Sequence, residues 1–157
     1  MGDILIIPAD AKWPMEFQEI RKAIAAVLPP TIEIHHIGST AGPGLPAKDI
    51  IDIQVSVYSL EDFHISSLEK VGFTHFAGAS DHCPPGQQVA EIELAKLFYR
   101  STSRPAHIHV REKGRFNQRY ALLCRDFLRS HPETAAAYAL IKQRLAMKFA
   151  SDIDAYY

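Results

Sequence analysis

The chain has little of what would mark a secreted, membrane-bound or broadly nucleic-acid-binding protein. Two cysteines, Cys83 and Cys124, occur in 157 residues. They fall in no metal-type spacing, which argues against a disulfide framework and for a reducing compartment, the cytoplasm. The longest apolar runs stop well short of the roughly 18 residues a bilayer span needs, so no membrane partner is expected. Met1-Gly2-Asp3-Ile4 lacks the basic start and apolar stretch of a signal peptide. A net charge of −1 removes broad, nonspecific nucleic-acid binding, although a specific nucleic-acid contact is not excluded. No internal repeat, low-complexity segment, Walker motif or Gly-x-Ser-x-Gly elbow is present. No linker divides the chain, so residues 1–157 read as one domain around one core.

What is present has a pattern. Hydrophobic residues make up 47% and charged residues 22%, the balance of a globular domain. From Lys96 to Arg129, nine basic residues meet only Glu112 and Asp126. That excess either attracts a triphosphate or an RNA backbone, or is a solvated face balanced by acids elsewhere. Eight histidines supply acid, base or metal-ligand chemistry near neutral pH.

Periodicity predicts alternating strands and helices. A short strand is expected over Ile4 to Ile7, closed by Pro8. A helix over 12–28 carries Trp13, Phe17, Ile20, Ile24 and Val27 on one face, with Asp10 as cap and Pro14 in its first turn. Pro29-Pro30 ends it and a strand runs from Thr31 to Ile37; Gly38 to Lys48 is a loop, with room for one helical turn. Ile50 to Tyr58 alternates most cleanly: Ile51, Ile53, Val55 and Val57 face one way, Asp52, Gln54 and Ser56 the other. A helix over Leu60 to Val71 is expected next, then a strand over Phe73 to Phe76 and a loop over Ala77 to Gln88. Strands at 89–100 and 106–111 follow. Two helices close the chain. Asn117 to Arg129 has a stripe of Tyr120, Leu123, Cys124, Phe127 and Leu128. The second starts from a capping box at Ser130-His131-Pro132-Glu133, with Ala135, Tyr138, Ile141, Leu145 and Phe149 inward. The class is α+β, or mixed α/β, with two C-terminal helices.

Two places can do chemistry. Gly38-Ser39 follows a strand, where glycine lets backbone N–H groups approach phosphate oxygens, and Thr40 and Lys48 can join them. Asp52 is a hard oxygen ligand suited to Mg²⁺, which takes one or two carboxylates plus substrate phosphates. Gln54 shares its face and offers only a neutral carbonyl oxygen. His107 and His109 project together from one strand, a pair of metal ligands for Zn²⁺ or another transition metal, with His36 as a third imidazole. Arg104 and Arg111 flank that pair as phosphate forks.

These residues resemble the signature of the GrpB family. The resemblance is carried by Ile32 to Ala41, with Pro43-Gly44-Leu45, Ala47-Lys48 and Ile51-Asp52-Ile53. It continues through Trp13-Pro14, Phe17, His107-Ile108-His109-Val110, Arg125 to Arg129, His131-Pro132-Glu133, Ala137-Tyr138-Ala139 and Lys142. It implies a nucleotidyltransferase-like fold of the polymerase-β type, a mixed sheet flanked by helices. In that superfamily a Gly-Ser turn holds nucleotide phosphates, and two acids on the next strand bind Mg²⁺, often with a third on a later strand. Gly38 and Ser39 match the turn and Asp52 the first acid. Gln54 departs from the pattern, and so do Gly42, where Val is common, and Asp49, where Pro is common. Members also occur fused to dephospho-CoA kinase. The expected function is therefore metal-dependent nucleotidyl transfer from a nucleoside triphosphate to an unknown acceptor, with Asp52, His107 and His109 as catalytic residues. The alternative is a nucleotide- or metal-binding protein that kept the fold without the transfer chemistry. Oligomeric state is not legible.

Overall fold

The clean alternation of residues 51–57 becomes an interior strand of a five-stranded mixed sheet. A computed structural model describes residues 4–152 and Tyr156. Strand β1 (Glu33–Ile37) pairs antiparallel with β2 (Ile51–Val57), which runs parallel to β5 (Ala106–Glu112). Beyond β5 lie β4 (Leu97–Ser101) and β3 (Thr74–Phe76), both antiparallel to their neighbours, giving the order β1-β2-β5-β4-β3. One face of the sheet is the core. Ile51, Ile53, Val55, Ile108, Val110 and Tyr99 are fully buried there. Helix α1 (Trp13–Ala25) lays Trp13, Phe17 and Ile24 over them. Each such side chain contributes about 1.5–3 kcal/mol on burial, so this face carries most of the hydrophobic stabilisation.

The structure corrects several expectations from periodicity. Ile4 to Ile7 is no strand: Ile7 alone bridges to Ala47, through reciprocal bonds of 2.9 and 3.0 Å. Asp10 does not cap α1; it stands two residues before the N-cap Lys12, and its carboxylate accepts from the Lys12 N–H at 2.8 Å. Of the expected helix over Leu60 to Val71, only α2 (Ser66–Glu69) forms. Leu60, Phe63, Leu68 and Val71 all reach the core at the i, i+3, i+8 and i+11 spacing of a helical stripe, yet only one turn between them is helical. Residues 89–96 are not strand. They make a 3-10 turn at Glu91–Leu94, because Glu93 is drawn away to accept the Phe116 N–H at 2.7 Å.

The C-terminal helices α3 (Phe116–Ser130) and α4 (Pro132–Lys148) form as expected, but their inward faces differ. Tyr120, Leu123 and Phe127 of α3 are 49%, 67% and 49% exposed, while Asn117 and Gln118 turn inward to polar partners. On α4 the buried residues are Ala135, Ala139 and Ala146, whereas Ile141 and Tyr138 lie outward. Small side chains let α4 approach Leu45 and Leu128 closely. Among the described residues no helix is long and apolar enough to cross a membrane.

The capping box is also absent. Ser130 belongs to α3 and donates to the Asp126 carbonyl at 2.9 Å, and α4 has His131 at its N-cap, with no side-chain cap. His131 instead sets its Nδ1 2.8 Å from the Phe127 carbonyl and stacks on the Phe127 ring. Replacing a true N-cap serine by alanine costs about 1 kcal/mol. Ser130→Ala is expected to cost less than about 0.5 kcal/mol in urea unfolding, as a surface substitution does; a loss near the full cap value would restore the capping box.

Candidate functional site

The polar residues of β2 lie on the face opposite α1, and a sharp turn brings the chain back against the first of them. After β1, Gly38 adopts φ 72° and ψ −171°, and Ser39–Ala41 form one 3-10 turn. A side chain at Gly38 would place its Cβ 2.8 Å from Asp52 Oδ2 and 3.1 Å from Asp52 Cβ. Glycine is required there twice, by its left-handed backbone and by the carboxylate pressed against it. Turn and carboxylate are therefore one site.

Parallel pairing sets His107 beside Asp52 and His109 beside Gln54. His107 Nδ1 lies 3.5 Å from Asp52 Oδ1, and His109 Nε2 lies 3.6 Å from the same oxygen. Ligand atoms of the three residues all lie within 4.8 Å of one another. Separations of 3.5 and 3.6 Å are long for hydrogen bonds. They match the edge of a tetrahedron around an ion whose ligands sit at about 2.1 Å, roughly 3.4 Å. Phe98 packs against both imidazoles, with ring centres 5.1 Å away in each case. Burial works to raise the Asp52 carboxyl, but the two histidines outweigh it and hold it well below the usual carboxylate range. Burial pushes His109 down to about 4, so its imidazole is neutral at physiological pH, the form a metal requires.

Behind the cluster lies an ionic layer. Asp81 accepts from Arg111 Nε and Nη2 at 2.8 and 3.0 Å, Lys96 Nζ at 2.6 Å and Asn117 Nδ2 at 3.0 Å. Desolvation of its carboxyl is overcome by Arg111 and Lys96, so Asp81 stays ionised. Arg111 Nη1 donates to Gln54 Oε1 at 2.7 Å, and Gln54 Nε2 donates to the Gln118 carbonyl at 3.1 Å. Lys96 Nζ also stands 3.2 Å from His109 Nδ1. A lysine can only donate when charged, so Nδ1 accepts and Nε2, facing Asp52, carries the proton. An ion bound at Nε2 would displace that proton.

Several expected site residues are placed elsewhere. His36 pairs with Ile53 and faces the core, stacked on Phe17 at 4.7 Å and 2.9 Å from the Thr40 hydroxyl. It therefore cannot join His107 and His109 around one ion. Thr40 is buried and its hydroxyl is engaged by that contact. Gln54 is fully buried with its amide oxygen on Arg111, which removes it as a metal ligand. Arg111 is occupied by Asp81 and Gln54, so it serves as a crosspiece and not a phosphate fork. Arg104 reaches Glu16 at 2.7 Å and Asp49 at 2.6 Å, tying α1 to the β4–β5 turn. Asp49 also accepts the Trp13 indole N–H at 2.8 Å, a role proline could not fill. At Gly42, where valine is common in the resemblance, Leu45 fills the space a side chain would need. Lys48 stacks its ammonium 4.9 Å from the Tyr156 ring centre.

Two further residues complete the site, although periodicity places neither there. Lys142 Nζ donates to Ser39 Oγ at 2.8 Å, and Tyr138 lies under that ammonium at 5.4 Å. Burial lowers the Lys142 pKa, the charge of Lys48 lowers it further, and Asp52 opposes both. A usable signal existed: Ala135, Ala139, Lys142 and Ala146 share one helical face, so a lysine sits among buried alanines.

The family model described as GrpB protein matches residues 3–157. A UPF0157 protein of Pseudomonas aeruginosa is 36% identical over 156 residues, 98% of this chain and 61% of that protein. UPF0157 protein YqkA of Bacillus subtilis is 35% identical over 153 residues, 96% of this chain and 42% of that protein. A dephospho-CoA kinase of Mycolicibacterium paratuberculosis is 30% identical over 171 residues, 98% of this chain and 42% of that protein. The chain thus spans less than two thirds of these relatives. The crystal structure of conserved protein GrpB from Enterococcus faecalis superposes with a TM-score of 0.76 at 25% identity, covering 97% of this chain and 88% of that one. The mixed sheet with its flanking helices is consistent with the nucleotidyltransferase-like fold.

Two outcomes follow from the buried charges. Asp81→Ala leaves Arg111 and Lys96 without their shared carboxylate, and is expected to cost about 3 kcal/mol or more in urea unfolding. Arg111→Met in the same background should recover part of that loss; an additive loss would show that the two residues do not act as a pair. Burial, with the charge of Arg129 adding to it, pushes His36 down to about 4, below an ordinary unfolded value of about 6.5. Between those values the unfolded chain binds the extra proton, so stability falls as pH falls, by up to about 1.4 kcal/mol per pH unit. Above that window His36 contributes no slope. His36→Phe should reduce the slope of the stability profile between about pH 6.5 and pH 4, where His109 also contributes; an unchanged slope would mean that His36 is not buried neutral.

Proposed function

The chain belongs to the GrpB family, and from that premise we propose that it binds one transition-metal ion on Asp52, His107 and His109 beside a phosphate cradle formed by Gly38, Ser39 and Lys142. Its chemistry is metal-assisted reaction at a phosphoryl group of a nucleotide-type ligand, with nucleotidyl transfer the form the fold suggests. The observation that carries this reading is the contact of Gly38 with Asp52, which joins phosphate turn and metal ligands in one pocket.

The donor set decides the ion. Mg²⁺ requires oxygen ligands in near-octahedral geometry, whereas two imidazoles and one carboxylate suit Zn²⁺, Fe²⁺, Mn²⁺ or Co²⁺. Three protein ligands leave positions open for ligand oxygens, as in catalytic zinc sites. When bound, the ion supplies Lewis-acid polarisation of a phosphoryl oxygen. The protein's own residues do the rest. Lys142 and the Ser39 hydroxyl neutralise and orient phosphate oxygens, Gly38 leaves the Asp52 carboxylate approachable, and Phe98 keeps water from one side of the imidazoles.

A second reading, a metal-dependent binder without transfer chemistry, is favoured by Gln54. Its amide is committed to Arg111, so a second ion has no ligand at the position where the superfamily places its second acid. The dephospho-CoA kinase name belongs to a much longer relative, and this chain has no Walker loop to support carrying that activity over.

Zinc or manganese is expected to raise the melting temperature and to co-purify at one ion per chain. Saturation at about a hundredfold over Kd corresponds to about 2.7 kcal/mol of stabilisation. Asp52→Ala and His107→Ala should each abolish the shift, and Lys142→Met should abolish only the further shift given by ATP. Magnesium stabilising as well as zinc, or full metal content in Asp52→Ala, would overturn the metal assignment. Release of labelled pyrophosphate from ATP separates transferase from binder.

A further inference from the structure

On the site face, register aligns Ile37, Asp52, His107, Arg100 and Thr74 across β1, β2, β5, β4 and β3. The next row aligns Gln54, His109, Phe98 and Phe76. Strands lie about 4.8 Å apart, so Arg100 starts about 10 Å from Asp52, on the side of the cluster away from Ser39. Helix α3 covers the β1 and β5 part of this face. Towards β3 the sheet is open: Phe76 is 42% exposed and Arg100 is exposed.

Arg100 is held without being neutralised. Its guanidinium carbon lies 4.9 Å from the Phe76 ring centre and 5.2 Å from that of Phe98, the ring that also packs on His107 and His109. Among the described residues it has neither an ion pair nor a hydrogen bond, whereas Arg104, Arg111, Arg115 and Arg125 each meet a carboxylate. Two aromatic rings support the guanidinium of this exposed residue, and its five N–H donors have no partner among the described residues. An arginine so placed is prepared for a planar or tetrahedral oxyanion.

We infer that Arg100 is a second anion-binding group of the site, taking an oxyanion on the β4 side of the Asp52–His107–His109 cluster while Ser39 and Lys142 take one on the β1 side. The inference rests on the phosphate reading of Ser39 and Lys142 made above. The oxyanion has two sources of the same chemistry: a second phosphate of one ligand, or the anionic group of a separate acceptor. Either way the ligands that fill this site carry two anionic centres.

Calorimetric titration of the metal-loaded, desalted protein with inorganic phosphate and with pyrophosphate tests this. Arg100→Gln keeps most of the stem that packs on the two rings and removes the charge. One lost charged hydrogen-bonding pair weakens binding about tenfold or more. If the second phosphate of one ligand is the source, Arg100→Gln weakens pyrophosphate by that factor and leaves phosphate nearly unchanged. If a separate acceptor is the source, wild-type protein binds two phosphates per chain and Arg100→Gln binds one. Wild-type affinity and stoichiometry for both anions in Arg100→Gln, with a lowered melting temperature, would make Arg100 a packing residue and overturn the inference. In that case loss of phosphate binding in Lys142→Met would leave the proposed function standing. Failure of wild-type protein to bind either anion would remove both.

Discussion

Arg111 is the residue on which β2, β5 and the loop after β3 meet. It stands on β5, reaches across to Gln54 on β2, and grips Asp81 in the loop that follows β3. Asp81 in turn receives Lys96 and Asn117, so one carboxylate links the central sheet, the approach to β4 and the start of α3. A buried ionic layer of this kind adds little net stability over apolar packing, but it is costly to break and admits few alternative arrangements. It fixes the rotamers behind the cluster. Lys96 sets the tautomer of His109, and Gln54 cannot drift toward the site because both ends of its amide are occupied. The positions of His109 and Asp52 are thus set from behind by charges that never touch a ligand.

The same layer changes the meaning of the neutral residue on β2. In the superfamily pattern Gln54 stands where a second carboxylate would be, which reads in the sequence as a missing ligand. In the fold the position is filled: an acid there would point into Arg111 and away from the cluster. The groups that converge on Asp52 come instead from β5, where parallel pairing sets His107 opposite Asp52 and His109 opposite Gln54, with ring nitrogens 3.5 and 3.6 Å from Asp52 Oδ1. The cluster has one carboxylate and two imidazoles on adjacent strands, the donor set on which the proposed preference for a softer ion than magnesium rests.

How much of this was legible depended on the range of the interaction. Strand β2 could be read because its period of two lasts for seven residues, and α1 because its aromatic and aliphatic stripe is unbroken. The pairing of Gly38 with Asp52 was legible as a turn and a strand with matching chemistry, although their contact was not. Asp81 could not be found, because it lies in a Gly/Pro loop and its partners are far along the chain. The inward face of α4 was misjudged for a different reason. Large apolar residues draw the eye, but here alanines are buried so that the helix can come close, and Lys142 shares their face. The lost capping box and the short α2 show the limit of local patterns, since Ser130 found a partner in its own helix and the residues before α2 were pulled one by one into the core.

The basic stretch from Lys96 to Arg129 resolves in the same terms. Composition left open whether it is a binding surface or a balanced face, and the fold divides it between the two. Arg104, Arg111, Arg115 and Arg125 are consumed by carboxylates, and Lys113 by Glu33. Charge already neutralised within the protein attracts nothing at a distance greater than the Debye length of about 10 Å. Of the rest, Lys96 meets Asp81 and Arg129 donates to the Ala41 carbonyl, while Arg100 and Arg119 meet no carboxylate among the described residues. Arg100, held by two rings, is the one beside the cluster, opposite Lys142 of α4, which is held by a serine. Aromatic support fixes a guanidinium without satisfying it, whereas a carboxylate would do both. A local excess of positive charge in a sequence is therefore weak evidence for binding until each cation's partner is known, and the informative cation is the one that is positioned but not paired.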